Sequence, residues 1–117
     1  MRTRFSPIGL FDSGIGGLSV ALQVMRILPN ENIVYFGDTA RVPYGTKSPE
    51  TVVGYSLQAA AFLRSQGVKL IIIACNTASA VALQAVQLAS DIPVIGVIQP
   101  GATAAVAATE QFLSSGT

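Results

Sequence analysis

A run of branched aliphatic residues that ends in the only cysteine places the strongest constraint on how this chain folds. Residues 70–74 are Leu-Ile-Ile-Ile-Ala, and Cys75 follows them directly. An apolar run without polar alternation is typical of a strand buried on both faces of a parallel sheet. The Ala-rich pattern from Ala78 to Ala89 predicts the helix that comes next. Cys75 is therefore expected at the carboxyl end of a central strand, just before a helix.

Three further units of a strand followed by a helix are predicted along the chain. Their strands are expected at residues 8–11, 32–36 and 93–98, and their helices at residues 18–28, 51–66 and 102–112. Ser48 and Pro49 are the predicted cap and first residue of the second of these helices, and Gly67 is predicted to end it. Four such units in a row predict an α/β fold, a doubly wound parallel four-stranded sheet flanked by helices.

The composition indicates a single domain whose surface is partly covered. The length of 117 residues fits one domain, which we assign to residues 1–117. Only 11% of the residues are charged and 50% are hydrophobic, whereas about 25% charged residues are usual in a soluble domain. Because monomers rarely expose large apolar patches, the chain is expected to form a homo-oligomer or to pair with a second domain.

The same composition argues against several partners and locations. The longest apolar run is six residues, Leu70 to Cys75, and a membrane-spanning helix needs about 18. The apolar stretch after Arg2 and Arg4 is too short for a signal peptide, and a single cysteine suits a reducing compartment, so a cytoplasmic location is expected. A net charge of +1 without a basic patch disfavours nucleic acid, and the absence of histidine disfavours a transition-metal site.

A glycine-rich turn follows the first predicted strand. The glycines at positions 14, 16 and 17 do not match the G-x-G-x-x-G pattern, because Ser19 occupies the sixth position, so a nucleotide site is not favoured. Their simplest role is a tight turn with positive φ angles. Asp12 and Ser13 precede the turn, and a carboxylate there can bind a ligand's ammonium group or orient a base. The glycines can form the turn while Asp12 and Ser13 bind a ligand beside it.

A loop after the second predicted strand adds further polar side chains to the same edge of the sheet. Its candidates are Asp38, Arg41, Tyr44 and Lys47, and Gln99 is expected to join them from the fourth strand. The alternative for Tyr44 is simple packing, and the alternative for the two cations is solvation. These side chains together predict a small polar pocket without a cradle for a cofactor.

Cys75 is the candidate reactive group of this pocket. The partial positive charge at a helix N-terminus favours thiolate over thiol, and Asn76, Thr77 and Ser79 are hydrogen-bonding neighbours. A thiolate in this position is a usable base or nucleophile. Two alternatives remain open, namely that Cys75 is only a small buried hydrophobe and that Thr77 is only the helix N-cap.

Three stretches of the chain resemble the signature stretches of glutamate racemase. They run from Phe11 to Gly17, from Tyr35 to Gly45 and from Ala74 to Ser79, in the order and spacing of that family. The resemblance implies an enzyme that interconverts L-glutamate and D-glutamate without a cofactor. It also implies that the D-glutamate is used for bacterial peptidoglycan.

The resemblance assigns roles to particular residues. It implies that Cys75 is one of two cysteines that exchange protons with the α-carbon of glutamate, and that Asp12 orients the substrate ammonium or assists the thiol. The residues that it places around the substrate are Asp12, Ser13, Tyr44, Gly45, Asn76 and Thr77.

The chain departs from that family in length. The resemblance implies a two-domain enzyme of more than twice this length, whose second domain carries the other cysteine. The stretch from Glu110 to Thr117 no longer resembles the family's continuation. We therefore expect the chain to be the N-terminal domain alone and to be inactive as a racemase without the second domain.

Three rival functions remain. The first is a non-catalytic domain that binds glutamate or associates with another chain, and the second is a racemase of a related substrate such as aspartate or a hydantoin. The third is a cysteine-dependent redox or phosphatase domain, which Val81 disfavours because it stands where the phosphatase pattern needs arginine, and no C-x-x-C pair is present.

Overall fold

The described part of the chain contains four parallel strands in one sheet; the computed structural model describes residues 2–14, 17–41 and 43–96. The strands are β1 (Ile8–Asp12), β2 (Ile33–Gly37), β3 (Leu70–Ile73) and β4 (Val94–Gly96). Their order across the sheet is β2-β1-β3-β4, and every neighbouring pair is parallel. The predicted α/β fold with a parallel four-stranded sheet is confirmed.

Three α-helices flank this sheet in the described ranges. They are α1 (Gly17–Ile27), α2 (Pro49–Ser65) and α3 (Asn76–Ala89). The predicted cap of α2 is confirmed, since Ser48 Oγ accepts a hydrogen bond from Thr51 N and Pro49 is the first helical residue. None of the described helices combines the length and apolar composition needed to cross a bilayer.

The helices lie on both faces of the sheet, which makes it doubly wound. Ala21 and Val24 of α1 pack with Leu10 of β1 and Ile72 of β3 in one apolar cluster. The opposite face of the sheet packs against α2 and α3 in a second cluster. All four residues of β3 are buried, and this burial on two faces explains why the strand has no polar alternation.

The structure corrects the predicted start of α3. The helix begins at Asn76, two residues before the predicted Ala78, and Cys75 occupies the N-cap position without a side-chain cap hydrogen bond. The alternative that Thr77 serves only as the N-cap is therefore wrong. The predicted helix at 102–112, residues 97–98 of the predicted fourth strand and Gln99 lie outside the described residues.

The turn after β1 depends on Gly14. Its φ of +99° is a conformation that L side chains rarely adopt, as predicted for this turn. The same prediction is wrong for Gly17, which already belongs to α1, and Gly16 lies outside the described residues. A Cβ atom at position 14 would lie 2.8 Å from Thr39 Cγ2 and 3.0 Å from Thr39 Cα. The turn therefore brings the chain after β1 into close contact with the loop after β2, which positions the residues at this edge.

We expect Gly14→Ala to lower the free energy of unfolding by about 1–3 kcal/mol, because alanine is strained at this φ. The contact with Thr39 adds to that cost. Gly54→Ala is the matched control, since a Cβ atom at position 54 in α2 meets nothing within 4 Å, and alanine in a helix interior gains about 0.5–1 kcal/mol. Urea unfolding followed by circular dichroism measures both changes. Equal stability of Gly14→Ala and wild type would contradict the role of this turn.

A buried lysine lies at the end of the sheet where the strands begin. Lys69 is only 2% exposed, and its Nζ donates to Glu31 Oε1 over 2.6 Å and to the carbonyl of Arg4. These bonds tie the residues before β1, β2 and β3 together.

Candidate functional site

The ends of three strands meet at what we call the carboxyl edge, formed by residues 12–13, 38, 44–45 and 75–77. Asp38 N donates to the Asp12 carbonyl over 2.9 Å, and Ala74 N donates to the Phe11 carbonyl over 2.7 Å. These two backbone bonds align the residues that end β1 with those that follow β2 and β3. The structure therefore brings Asp12, Asp38 and Cys75 to one edge, as the strand order requires.

Asp12 is the most unusual group of this edge. It is 0% exposed, and its Oδ2 accepts hydrogen bonds from Gly14 N at 2.9 Å and from the Tyr35 hydroxyl at 3.1 Å. Its Oδ1 is buried without a hydrogen-bond partner among the described residues. Because an unpaired buried acceptor is costly, this oxygen is suited to a donor that a ligand brings. Ser13 follows it and is also buried.

Cys75 lies at the junction of β3 and α3, as predicted. It is 7% exposed and belongs to the apolar cluster that includes Phe11 and Tyr44. Its carbonyl accepts from Ser79 N over 2.9 Å, so its backbone already forms part of the first turn of α3. The described residues show no hydrogen bond between the Cys75 thiol and Asp12.

Tyr44 is held by the carboxylate of Asp38. The Tyr44 hydroxyl donates to Asp38 Oδ2 over 2.5 Å, and both residues are buried. Burial raises the pKa of Tyr44 far above its ordinary value, and the hydrogen bond and charge of Asp38 raise it further. The phenol therefore stays protonated as a donor, and it anchors the 3₁₀ turn Tyr44–Thr46 from inside.

The backbone of that turn faces the start of α3. Gly45 is exposed, and a Cβ atom there would lie 3.9 Å from Thr77 Oγ1. Thr77 is half-buried, and Asn76 is exposed in the first turn of α3. The turn and the helix start thus form two adjoining walls near Cys75, and both carry donors.

Two polar side chains near this edge already form hydrogen bonds or ion pairs within the protein. Arg41 is paired rather than solvated, because its Nε lies 3.2 Å from Asp38 Oδ2 and its Nη1 donates to Gln58 Oε1 over 2.7 Å. Ser79 Oγ donates to the Ile73 carbonyl over 2.9 Å, so its hydroxyl secures the junction of β3 and α3. Lys47 is half-buried.

Tyr35 is the residue of this edge that sequence reasoning missed. The pattern of β2 predicts a strand but not the strand that pairs with it, so the contact with Asp12 could not be predicted. The available signal was Gly37, which lies two residues further along β2 and on the same face as Tyr35. A glycine there leaves room for a large neighbour.

A cavity of about 390 Å³ lies at the opposite end of the sheet, where β1 and β2 begin, away from these groups. It is lined by Arg4, Phe5, Asn30, Glu31 and Asn32. The Glu31 carboxylate in its wall already pairs with Lys69, and the lining charges have opposite signs. We therefore base the candidate site on the chemistry of the carboxyl edge.

Comparison with known proteins decides the family. A family model described as Asp/Glu/Hydantoin racemase matches residues 18–114. The chain belongs to this family. In this member of the family, the carboxyl edge carries hydrogen-bond acceptors, donors and a thiol.

Curated relatives agree with this assignment. The racemase-family chain is 61% identical over 105 residues to the glutamate racemase of Geobacter metallireducens, which covers 90% of this chain and 39% of that protein. It is 55% identical over 104 residues to the glutamate racemase of Lactococcus lactis subsp. cremoris, which covers 89% of this chain and 38% of that protein. The chain thus spans less than half the length of these relatives.

Two solved structures show the same fold in similar proteins. Glutamate racemase from Francisella tularensis in complex with D-glutamate matches with a TM-score of 0.75 and 58% identity, over 80% of this chain and 36% of that one. The Escherichia coli glutamate racemase in complex with L-glutamate and the activator UDP-MurNAc-ala matches with a TM-score of 0.74 and 38% identity, over 80% and 36%. The fold of this racemase-family chain is therefore that of part of those enzymes.

Proposed function

We propose that residues 1–117 form the N-terminal domain of a glutamate racemase and supply one half of its active site. The other half comes from a second domain, which carries the second proton-transferring group. In this proposal L-glutamate and D-glutamate interconvert by two-base proton transfer without a cofactor. The glutamate-bound relatives support glutamate as the substrate.

The observation that carries the proposal is the unpaired Oδ1 of Asp12. A buried carboxylate oxygen without a donor is matched by the ammonium group of an amino acid, which brings three N–H donors and a compensating charge. In this proposal Asp12 binds the ammonium through Oδ1, the oxygen that no described residue uses. This bond fixes one of the four substituents of the α-carbon.

Cys75 is the base of this half-site. Its thiolate takes the proton from the α-carbon, so that a C–H bond breaks and an S–H bond forms. The electron pair left on carbon is delocalised into the substrate carboxylate, where negative charge grows. The thiol is mostly shielded from water, which strengthens electrostatic interactions in the site and protects the carbanion from solvent protons.

Donors for that growing charge are close to Cys75. Asn76 and Thr77 belong to the first turn of α3, whose free backbone N–H groups point toward the carboxyl edge. Ser13 and the exposed turn at Gly45 complete the walls. A substrate carboxylate between the turn and α3 accepts from both, which holds the α-carbon against the sulfur.

Inversion needs a second acid on the opposite side of the planar carbanion. Cys75 is the only cysteine of the chain, and one thiol can act on one face only. In the proposed two-domain enzyme the second domain closes over this edge and delivers that proton. The D-glutamate product then serves peptidoglycan synthesis in the cytoplasm.

A domain that binds glutamate without chemistry is the second candidate, and the burial of Cys75 in an apolar cluster favours it. In that case the thiol only packs against Phe11 and Tyr44. Binding would still depend on Asp12, but no proton would leave the α-carbon.

Incubation of the purified chain with each glutamate enantiomer in deuterium oxide tests the proposal. We expect deuterium to enter the α-position of only one enantiomer, without inversion, because a single base serves a single face. Proton NMR follows the exchange, and circular dichroism follows the configuration. Calorimetric binding without exchange would favour the second candidate, and exchange of aspartate in preference to glutamate would reassign the substrate.

A further inference from the structure

A tyrosine on the edge strand reaches across to the buried aspartate. The Tyr35 hydroxyl donates to Asp12 Oδ2 over 3.1 Å, although the residue that pairs with Tyr35 on β1 is Leu10. Asp12 itself pairs with Gly37. The side chain of Tyr35 therefore extends along β2, from the level of the Leu10–Tyr35 pair to that of the Asp12–Gly37 pair, where it reaches the carboxylate.

The path of that ring is open because position 37 has no side chain. A Cβ atom at Gly37 would lie 3.1 Å from the Tyr35 hydroxyl oxygen and 3.2 Å from Tyr35 Cε2. Both distances are tighter than ordinary contacts, so a Cβ atom at position 37 would require the phenol to shift by a few tenths of an ångström from the position in which it bonds to Asp12. Gly37 and Tyr35 thus act as one unit on one face of β2.

We propose that Tyr35 and Gly37 are positioning residues that hold the Asp12 carboxylate in one orientation, with Oδ2 occupied and Oδ1 presented to the substrate ammonium. This inference rests on the proposed function. A carboxylate whose two oxygens had equal partners would interchange them by rotation of its side chain. Two donors on Oδ2, Tyr35 and Gly14 N, and none on Oδ1 remove that freedom.

The phenol is suited to remain a donor. Burial raises the pKa of Tyr35, and the charge of Asp12 and the hydrogen bond to it raise the pKa further. The hydroxyl therefore keeps its proton at neutral pH and cannot repel the carboxylate. Tyr35 is still 39% exposed, so loss of its hydroxyl removes this bond while most of the ring's surroundings stay the same.

The test compares Tyr35→Phe and Gly37→Ala with Tyr55→Phe, which removes a phenol hydroxyl on α2 that has no hydrogen bond to Asp12. The glutamate concentration that gives half-maximal deuterium exchange should rise about 5- to 20-fold in Tyr35→Phe, since an ammonium bond to a misaligned carboxylate is weakened. The saturating rate should stay within about twofold, because the ammonium bond is equal in ground and transition states. Tyr55→Phe should change neither value.

Gly37→Ala gives an independent check of the same bond from its other side. It should shift half-saturation in the same direction as Tyr35→Phe, and the double variant should be no worse than Tyr35→Phe alone, because both changes break one interaction. Additive losses, or half-saturation of Tyr35→Phe equal to wild type, would overturn the inference while leaving the proposed function intact.

A measurement without glutamate tests the positioning role of Tyr35 separately from the proposed racemase function. The carbon-13 resonance of the Asp12 carboxyl group should move in Tyr35→Phe and stay in place in Tyr55→Phe. If the wild-type chain neither binds nor exchanges glutamate, the proposed function fails, and this resonance still decides whether Tyr35 holds Asp12. An unmoved resonance overturns the positioning role in either case.

Discussion

Cys75→Ser is expected to lower the rate of α-deuterium exchange by about 10²- to 10⁴-fold, the range that a positioned base contributes. Serine has nearly the same shape as cysteine, but its hydroxyl is far too weak an acid to exist as an oxyanion near neutral pH. No base is then available to accept the proton from the α-carbon. Proton NMR of glutamate in deuterium oxide measures the loss.

The control for this variant is glutamate binding. Cys75 does not contact the ammonium in the proposed site, so calorimetry should show an affinity within about threefold of wild type, since exchange rather than ground-state binding is lost. Far-UV circular dichroism verifies the fold, because the side chain is buried in the cluster with Phe11 and Tyr44. Exchange that persists in Cys75→Ser would show that another group is the base.

The local patterns of this chain were enough to predict most of its fold. Four consecutive buried aliphatics at 70–73 have one good explanation in an α/β chain, a central parallel strand, and the structure confirms it. Ser48 and Pro49 predict the start of α2 because a cap and a first-turn proline act within one helical turn. In contrast, Asn76 and Thr77 are weak helix formers, which is why the predicted start of α3 came two residues late.

The partners of the polar groups could not be predicted in the same way. Tyr44 and Asp38 were recognised as separate candidates, but their direct hydrogen bond depends on how the loop folds back on itself. The bond between Tyr35 and Asp12 depends on the register of two strands that are 23 residues apart in sequence at these positions. Register is a tertiary property, so the sequence predicts which groups meet at the carboxyl edge but not which oxygen stays unpaired.

Lys69 is another buried polar group whose partners could not be predicted from the sequence, and a lysine is almost never fully buried unless it is paired. Its partner Glu31 comes from the chain before β2, and its second acceptor is the Arg4 carbonyl before β1. We expect Lys69→Met to lower the free energy of unfolding by about 3–5 kcal/mol, the usual cost of breaking a buried ion pair from one side. The loss is large beside the total stability of about 5–15 kcal/mol of a small domain.

The cause of that loss is the carboxylate left without its cation, so a second substitution should reverse most of it. Lys69→Met/Glu31→Leu replaces both charges with apolar groups, and its stability in urea should return to within about 1–2 kcal/mol of wild type. The matched control is Asp91→Ala, which breaks the exposed pair with Arg2, where the carboxylate is 68% exposed, and should cost less than about 1 kcal/mol. If Lys69→Met lowered the free energy of unfolding no more than Asp91→Ala does, the Lys69–Glu31 pair would stabilise the fold no more than an exposed pair. If the double variant were as unstable as Lys69→Met, the lost bond to the Arg4 carbonyl would be the main cause.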